Sequence, residues 1–101
     1  MRRGVLGVAA RTVTLPARHR IRLEVDRSTA VRIDHVEPGS AAARAGVEIG
    51  DLLLSLDGEP IATVEALWRT LTAARIEQRL PIVIARRLVR KALYVTPTER
   101  R

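Results

Sequence analysis

The 101-residue sequence has no cysteine and no phenylalanine, and its aromatic residues are Trp68 and Tyr94. Without cysteine there are no disulfides, no thiolate metal ligands and no thiol nucleophile. With so few rings, a core has to be built from Val, Leu, Ile and Ala, which suits a compact α+β domain. The chain should fold, because 47% of its residues are hydrophobic and 29% are charged, whereas disordered chains combine low hydrophobicity with high net charge.

Long apolar segments are also missing. No apolar run is long enough for a helix across a bilayer, and the amino terminus lacks the apolar stretch of a signal peptide. We therefore expect no membrane segment in this chain. If the parent protein is exported or anchored in the cell envelope, its signal lies elsewhere, and a cytoplasmic location stays open. The length allows one domain, residues 1–101, and is too short for two.

Catalytic and metal-binding motifs are absent. The histidines are His19 and His35, and His35 follows Asp34 along a predicted strand rather than facing it across a cleft. There is no Gly-x-Ser-x-Gly or comparable serine motif. The two histidines are too far apart in sequence for a metal-ligand spacing. We expect no enzymatic activity in this chain, no metal and no cofactor.

A formal net charge of +7 raises the question of nucleic acid or anionic lipid, since clustered Lys and Arg attract phosphates. The basic residues form short, scattered groups: Arg18, Arg20 and Arg22; Arg86, Arg87, Arg90 and Lys91; Arg100 and Arg101. No aromatic residue is interleaved with them to stack on bases. Such runs are normally a solvated face, so we expect no nucleic-acid partner.

Strand patterns dominate the first third of the chain. Residues 3–13 are rich in β-favouring side chains and predict a strand. In residues 19–25 every second residue is apolar, which is the period of a half-buried strand. Residues 30–36 predict a further strand, which would form a hairpin with residues 19–25.

Helices and strands alternate after that. Ser40 is placed to cap a short helix over residues 41–45, which ends at Gly46. Residues 51–56 are nearly all apolar, as in a central buried strand, and the Asp57-Gly58 pair predicts a tight turn.

The main helix is predicted at residues 63–75, capped by Thr63. Its apolar residues recur at helical spacing and form one face; they are Val64, Leu67, Trp68 and Leu71. Spacing alone assigns Leu67 to the core and leaves Val64 and Leu71 open between the core and a binding surface. Residues 81–85 and 92–95 predict two closing strands around a basic turn.

Residues 36–61 resemble the PDZ core of HtrA/Deg-like serine proteases. In that family a strand, a Pro-Gly-Ser break, a short alanine-rich helix, a Gly-Asp step, an apolar strand and an Asn/Asp-Gly turn follow in this order. The corresponding residues here are Pro38-Gly39-Ser40, Gly50-Asp51 and Asp57-Gly58. The resemblance implies a single α+β PDZ-like domain: a small, partly open β-barrel or sandwich of five to six strands, with one short and one long helix.

The resemblance also implies a peptide-binding site. The tetrapeptide Val5-Leu6-Gly7-Val8 looks like the loop that turns backbone N–H groups toward a peptide's terminal carboxylate, and consecutive N–H groups do form an anion nest. An extended peptide would add to the edge strand that continues through Ala9, Ala10 and Arg11. The opposite wall would be helix 63–75, with Val64 against the third residue from the peptide end, Trp68 one turn later and Leu71 near the base of the terminal pocket.

Trp68 is the main departure from the family pattern, where a smaller or polar residue is usual. Its indole either anchors a bulky peptide or plugs the groove. The first alternative predicts a module that binds C-terminal or extended polypeptides, next to the protease domain of a bacterial HtrA/Deg-like parent. The second predicts a structural PDZ-like domain for intramolecular or oligomer contacts. Because the chain starts at Met1, almost on the binding loop, we expect one domain of a longer protein.

Overall fold

The computed structural model describes residues 4–71 and 76–99. Its elements in chain order are β1 (Gly4–Val5), β2 (Val8–Thr14), α1 (Ala17–Leu23), β3 (Thr29–Val36), α2 (Ala41–Ala45), β4 (Leu52–Leu56), β5 (Glu59–Pro60), α3 (Val64–Thr70), β6 (Leu80–Arg86), β7 (Val89–Val95) and β8 (Thr98–Glu99). The last part of the predicted helix 63–75, namely residues 72–75, lies outside the described residues, as do Arg3, Arg100 and Arg101.

Six strands of the described chain form one antiparallel sheet. Its order is β2-β3-β4-β6-β7, and the short β5 pairs with β4. β1 pairs separately with β8, so the predicted strand over residues 3–13 is interrupted between β1 and β2. The α+β fold with five to six strands is confirmed, with β2 and β7 as the open edges of the sheet. The described residues contain three helices, where the sequence predicted two.

Apolar side chains cover both faces of this sheet. The main cluster joins α2 and α3 to one face and includes Ile33, Leu53 and Ile84 of the sheet. A second cluster lies on the other face and includes Leu23 of α1 and Leu54 of β4. β4 contributes to both clusters, as expected for a strand whose residues are nearly all apolar. No helix among residues 4–71 and 76–99 is both long and apolar enough to cross a bilayer.

The predicted strand over residues 19–25, and its hairpin with residues 30–36, are wrong. Residues 19–23 of that segment belong to α1. This helix begins after Pro16, where the backbone N–H groups of His19 and Arg20 donate to the Pro16 carbonyl at 2.9 and 3.1 Å. Ile21 is 78% exposed, while Leu23 is buried. A two-turn helix can be held by one buried side chain, here Leu23. The alternation of apolar and charged residues was therefore coincidental. β3 pairs with β2 instead.

The segment from Ser40 to Gly58 folds as the sequence predicts. The Ser40 hydroxyl caps α2 by accepting from the Ala43 N–H at 3.2 Å, and Gly46 ends the helix in the left-handed conformation with φ 95°. The turn after β4 has positive φ at both Asp57 and Gly58. These local signals are strong because each one satisfies a specific backbone requirement.

Candidate functional site

In the loop between β1 and β2, hydrogen bonds fix the direction of the Leu6 and Gly7 carbonyl groups. The Ala42 N–H of α2 donates to the Leu6 carbonyl at 2.9 Å, and the Glu37 N–H donates to the Gly7 carbonyl at 2.8 Å. In a trans peptide unit the N–H points opposite to the C=O. The N–H groups of Gly7 and Val8 share peptide units with these two carbonyls, so they point away from α2 and from the end of β3. Two successive N–H groups with one direction form an anion-binding nest.

Gly7 is the residue that makes this loop possible. Its φ is +79°, and a Cβ built on it would lie 2.3 Å from the Cβ of Ser40 and 2.9 Å from its hydroxyl oxygen. Any side chain at residue 7 would therefore collide with the capping residue of α2. The backbone of the loop at Gly7 therefore packs directly against the Ser40 side chain at the amino-terminal end of α2.

β2 directs backbone groups of Val8 toward the open edge of the sheet. Val8 faces Val36 in the β2–β3 ladder. The hydrogen bond from Glu37 to Gly7, one residue further on each strand, makes this a non-hydrogen-bonded pair. In such a pair the N–H and C=O of each residue point away from the partner strand. The N–H and C=O of Val8 are thus both available on the edge of β2.

Ala10 presents its backbone in the same direction. Its partner in β3 is Ile33. The Ile33 N–H donates to the Asp51 carbonyl at 2.9 Å, and the Ile33 carbonyl accepts from the Gly50 N–H at 2.8 Å. The backbone of Ile33 is therefore turned away from β2, and the N–H and C=O of Ala10 face the open edge. Val8 and Ala10 are two residues apart, which is the spacing an added strand requires.

Side chains of β2 alternate between its two faces. Val8 and Ala10 are half-buried and pack against the main cluster, whereas Ala9 and Arg11 are exposed. The Nε atom of Arg11 lies 3.2 Å from a carboxylate oxygen of Asp34. Asp34 has no partner in the ladder because pairing passes from His35 to Ile33 at a bulge. Arg11 thus neutralises the bulged residue and lies on the face opposite to α3.

Leu6 contributes its backbone to the loop surface, because its side chain is 3% exposed and belongs to the main cluster. Leu6 and Val8 line an apolar cavity of about 10 Å³ inside that cluster, which is about the space of one water molecule. Val5 is half-buried and pairs with Thr98 of β8. The core under the loop is therefore nearly filled.

α3 forms the wall across from β2, and its residues divide between core and surface. Leu67 and Leu71 are buried in the main cluster, and Val64 is half-buried against it. Trp68 is 41% exposed. Because residues four apart lie on one side of a helix, Val64 and Trp68 share a side of α3. Leu67 is in the core as predicted, Leu71 is buried near the end of the described helix, and the indole is not enclosed.

The candidate groove is the space between β2 and α3. One contact between these two walls was not predicted from the sequence. The side-chain oxygen of Thr12, in β2, accepts a hydrogen bond from the backbone N–H of Val64 at 3.0 Å. The two residues are 52 positions apart in sequence, and threonine is common in strands for reasons unrelated to binding. No sequence signal could have identified this pair.

Comparison with known proteins gives a family match. A family model described as "PDZ domain" matches residues 32–86. Among curated relatives, the periplasmic pH-dependent serine endoprotease DegQ of Escherichia coli is 36% identical over 61 residues, which cover 60% of this chain and 13% of DegQ. A putative zinc metalloprotease of Rhizobium meliloti is 47% identical over 49 residues, 48% of this chain and 12% of that protein. The chain thus spans a small part of either relative.

A solved structure extends the likeness to nearly the whole chain. The HtrA3 PDZ domain bound to a phage-derived ligand (FGRWV) aligns with a TM-score of 0.73 at 19% identity. The alignment covers 99% of this chain and 89% of that one. At this identity the likeness concerns the fold, and it confirms the PDZ-like arrangement predicted from residues 36–61.

Proposed function

Because the chain belongs to the PDZ domain family, whose model matches residues 32–86 of its 101, we propose that it binds the free carboxyl terminus of extended polypeptides. The observation that carries this proposal is the pair of N–H groups on Gly7 and Val8, turned outward by the bonds of the preceding carbonyls to Ala42 and Glu37. The predicted resemblance to the PDZ domains of HtrA/Deg-like proteases is confirmed by the match to DegQ.

In the proposed complex the terminal carboxylate accepts hydrogen bonds from the N–H groups of Gly7 and Val8. The N–H of the last peptide residue donates to the Val8 carbonyl. The third residue from the end pairs with both the N–H and the C=O of Ala10, so the peptide becomes an antiparallel seventh strand beside β2. Charge-assisted bonds from N–H groups to a carboxylate are stronger than neutral ones, so the free carboxylate contributes much of the affinity.

Selectivity in this complex comes from apolar contacts. Side chains of the last and third-last peptide residues lie on one face of the added strand, because alternate residues share a face. We assign this face to the side of Val8 and Ala10, whose side chains are small or apolar and face α3. Val64 then flanks the third-last residue, and Trp68, one turn closer to the terminal pocket, flanks the space between the third-last and the last residue. An apolar residue at the third-last position satisfies this environment best.

We propose that the parent protein is a protease, because both curated relatives named above are proteases and this chain covers little of either. An exported, HtrA/Deg-like serine protease is the leading form, since DegQ is a periplasmic serine endoprotease. The domain would there recruit substrates or regulate the protease domain. A metalloprotease parent is the second form, supported by the 47% identity to the Rhizobium meliloti protein.

Titration of paired peptides tests the binding proposal. A seven-residue peptide that ends in three apolar residues is compared with its C-terminally amidated form, by isothermal titration calorimetry and by Trp68 fluorescence. Amidation removes the negative charge and leaves the side chains unchanged. We expect amidation to weaken binding at least tenfold, because hydrogen bonds to a charged group contribute about 1.5–3 kcal/mol.

Each possible result of the titration has a separate meaning. Equal affinity for both forms would rule out the carboxylate nest as the recognition element. Absence of binding to every apolar peptide would favour the structural alternative, in which Trp68 closes the groove. A steep salt dependence with a single-stranded oligonucleotide would instead favour the electrostatic hypothesis that the +7 charge raises.

A further inference from the structure

We infer that the hydrogen bond between Thr12 and Val64 closes the peptide groove at one end, so that the domain reads about the last three residues of its ligand and no more. This inference rests on the proposed function, because it concerns the length of the peptide that the same groove accepts. Thr12 would then limit the length of the bound peptide, in addition to its place in the edge strand β2.

The contact joins the two walls of the groove directly. The Thr12 hydroxyl oxygen lies 3.0 Å from the Val64 nitrogen. Val64 is the first residue of α3, and the first N–H groups of a helix have no partner within the helix. Thr63 supplies a partner to the N–H of Ala66 at 3.1 Å, and Thr12 supplies one to Val64. The bond therefore adds to the capping of α3 and fastens the helix to β2.

Geometry leaves no room for a strand at this point. A strand added to β2 would lie about 4.8 Å from it. At Thr12 the helix backbone is already within hydrogen-bond distance of the β2 side chain. The Thr12 side chain is on the same face as those of Val8 and Ala10, so a peptide residue paired with Thr12 would direct its side chain into the bonded start of α3. Either the bond has to break or the peptide has to leave the sheet.

The closed end fixes the length of the open part. Val8, Ala10 and Thr12 are alternate residues, and the first two direct their backbone groups to the edge. The last peptide residue pairs with Val8 and the third-last with Ala10, so the fifth-last would pair with Thr12. At about 3.3 Å per residue, the groove from Val8 to Thr12 is about 13 Å long. It takes three residues with full pairing and a fourth at the exit.

A peptide-length series measures this limit. Peptides of three, four, five and seven residues share their last three residues, carry an acetylated amino terminus and differ only by added alanines. For the wild-type protein we expect the dissociation constant to stop improving at four residues, with less than a twofold change from four to seven. Steady improvement with each residue up to seven would overturn the inference.

Substitution of Thr12 provides the matched comparison. T12V removes the acceptor and keeps the branched shape, whereas T12S keeps the hydroxyl. With T12V we expect the seven-residue peptide to gain at least threefold over the four-residue peptide, and with T12S no such gain. The ratio of the two affinities within each variant cancels any general loss of folding or binding. An unchanged ratio in T12V would contradict the closure.

Amide hydrogen exchange tests the bond without any peptide. In the free wild-type protein the Val64 amide should exchange at least tenfold more slowly than in T12V, while the Ala66 amide, bonded to Thr63, stays protected in both. Equal rates for Val64 in both proteins would show that the bond does not form in solution, and the inference would fail even if peptides bind. Protection of Val64 without any peptide binding would instead refute the proposed function and, with it, the length limit.

Discussion

Arg86 at the end of β6 and Asp51 before β4 form a bidentate ion pair. The Nε atom of Arg86 lies 2.9 Å from one carboxylate oxygen of Asp51, and a terminal nitrogen lies 2.8 Å from the other. Asp51 is 1% exposed, and it also accepts from the Glu48 N–H at 2.8 Å. The hydrogen bond to Asp51 raises the pKa of Arg86 above its usual value. The pair fastens the loop after α2 to the end of β6.

Arg86→Met should destabilise the domain by about 3 kcal/mol, because it leaves the buried carboxylate of Asp51 without its cation. Urea denaturation measures the change. Glu48→Gln is the matched control, since Glu48 lies 3.2 Å from the same guanidinium but is mostly exposed. It should cost under about 1 kcal/mol, as surface ion pairs do. Similar losses for both variants would mean that burial of Asp51 is not what makes its pairing important.

Gly7→Ala should cost more than Gly39→Ala. Both glycines have similar positive φ, +79° and +75°, but a Cβ would collide with Ser40 only at Gly7. The conformational penalty for alanine is about 1 kcal/mol at either residue, and the collision at Gly7 adds about 1–3 kcal/mol. Denaturation curves give the two losses. Equal losses would show that the loop can move away from α2, and the outward direction of its N–H groups would lose its support.

Leu23→Ala should destabilise the domain by about 2–4 kcal/mol, the usual cost of a cavity in a packed cluster. Ile21→Ala should change stability by less than about 0.5 kcal/mol, because Ile21 is 78% exposed. A strand over residues 19–25 would have buried both side chains and made the two losses alike. The pair of variants therefore distinguishes helix α1 from the strand that the alternating pattern indicates.

The elements that sequence predicts correctly are those with a local backbone cause. Ser40, Gly46 and the Asp57-Gly58 turn satisfy requirements that lie within a few residues of each other. The strand prediction for residues 19–25 is wrong because a helix of two turns contains too few apolar residues to distinguish a period of 2 from a period of 3.6. The helix places Leu23 in the second cluster, which also contains Leu54, and sequence order does not reveal that packing.

The candidate site divides in the same way. The glycine of the loop is visible in the sequence, but the direction of its N–H groups depends on bonds to Glu37 and Ala42. The contact between Thr12 and Val64 joins residues 52 positions apart, and the Asp51–Arg86 pair joins residues 35 apart. Such pairs become neighbours only once the strand order is known, so pattern and propensity cannot find them.

Arg87→Asn should stabilise the domain by about 0.5–1 kcal/mol. Arg87 and Leu88 form the two-residue turn between β6 and β7 and have φ of 54° and 61°. This turn type favours asparagine at its first residue, because a longer side chain is strained at positive φ. Leu88 stays unchanged, since it packs against the second cluster. Arg87→Ala is the control for loss of the arginine side chain, and an equal gain there would show that the turn conformation is not the cause.

Trp68→Ala should weaken peptide binding about fivefold and leave stability nearly unchanged. The indole is 41% exposed in the free domain and is on the same side of α3 as Val64. In this position the ring can pack against a bound peptide. Aromatic contacts contribute about 0.5–1.5 kcal/mol beyond buried area, which corresponds to this loss. Trp68→Phe keeps a ring and should lose less, and calorimetry with the seven-residue peptide measures both variants. Tighter binding by Trp68→Ala would identify the indole as a plug, because removing an obstacle raises affinity, and would favour the structural alternative for the wild-type domain. An unchanged affinity would remove Trp68 from the groove.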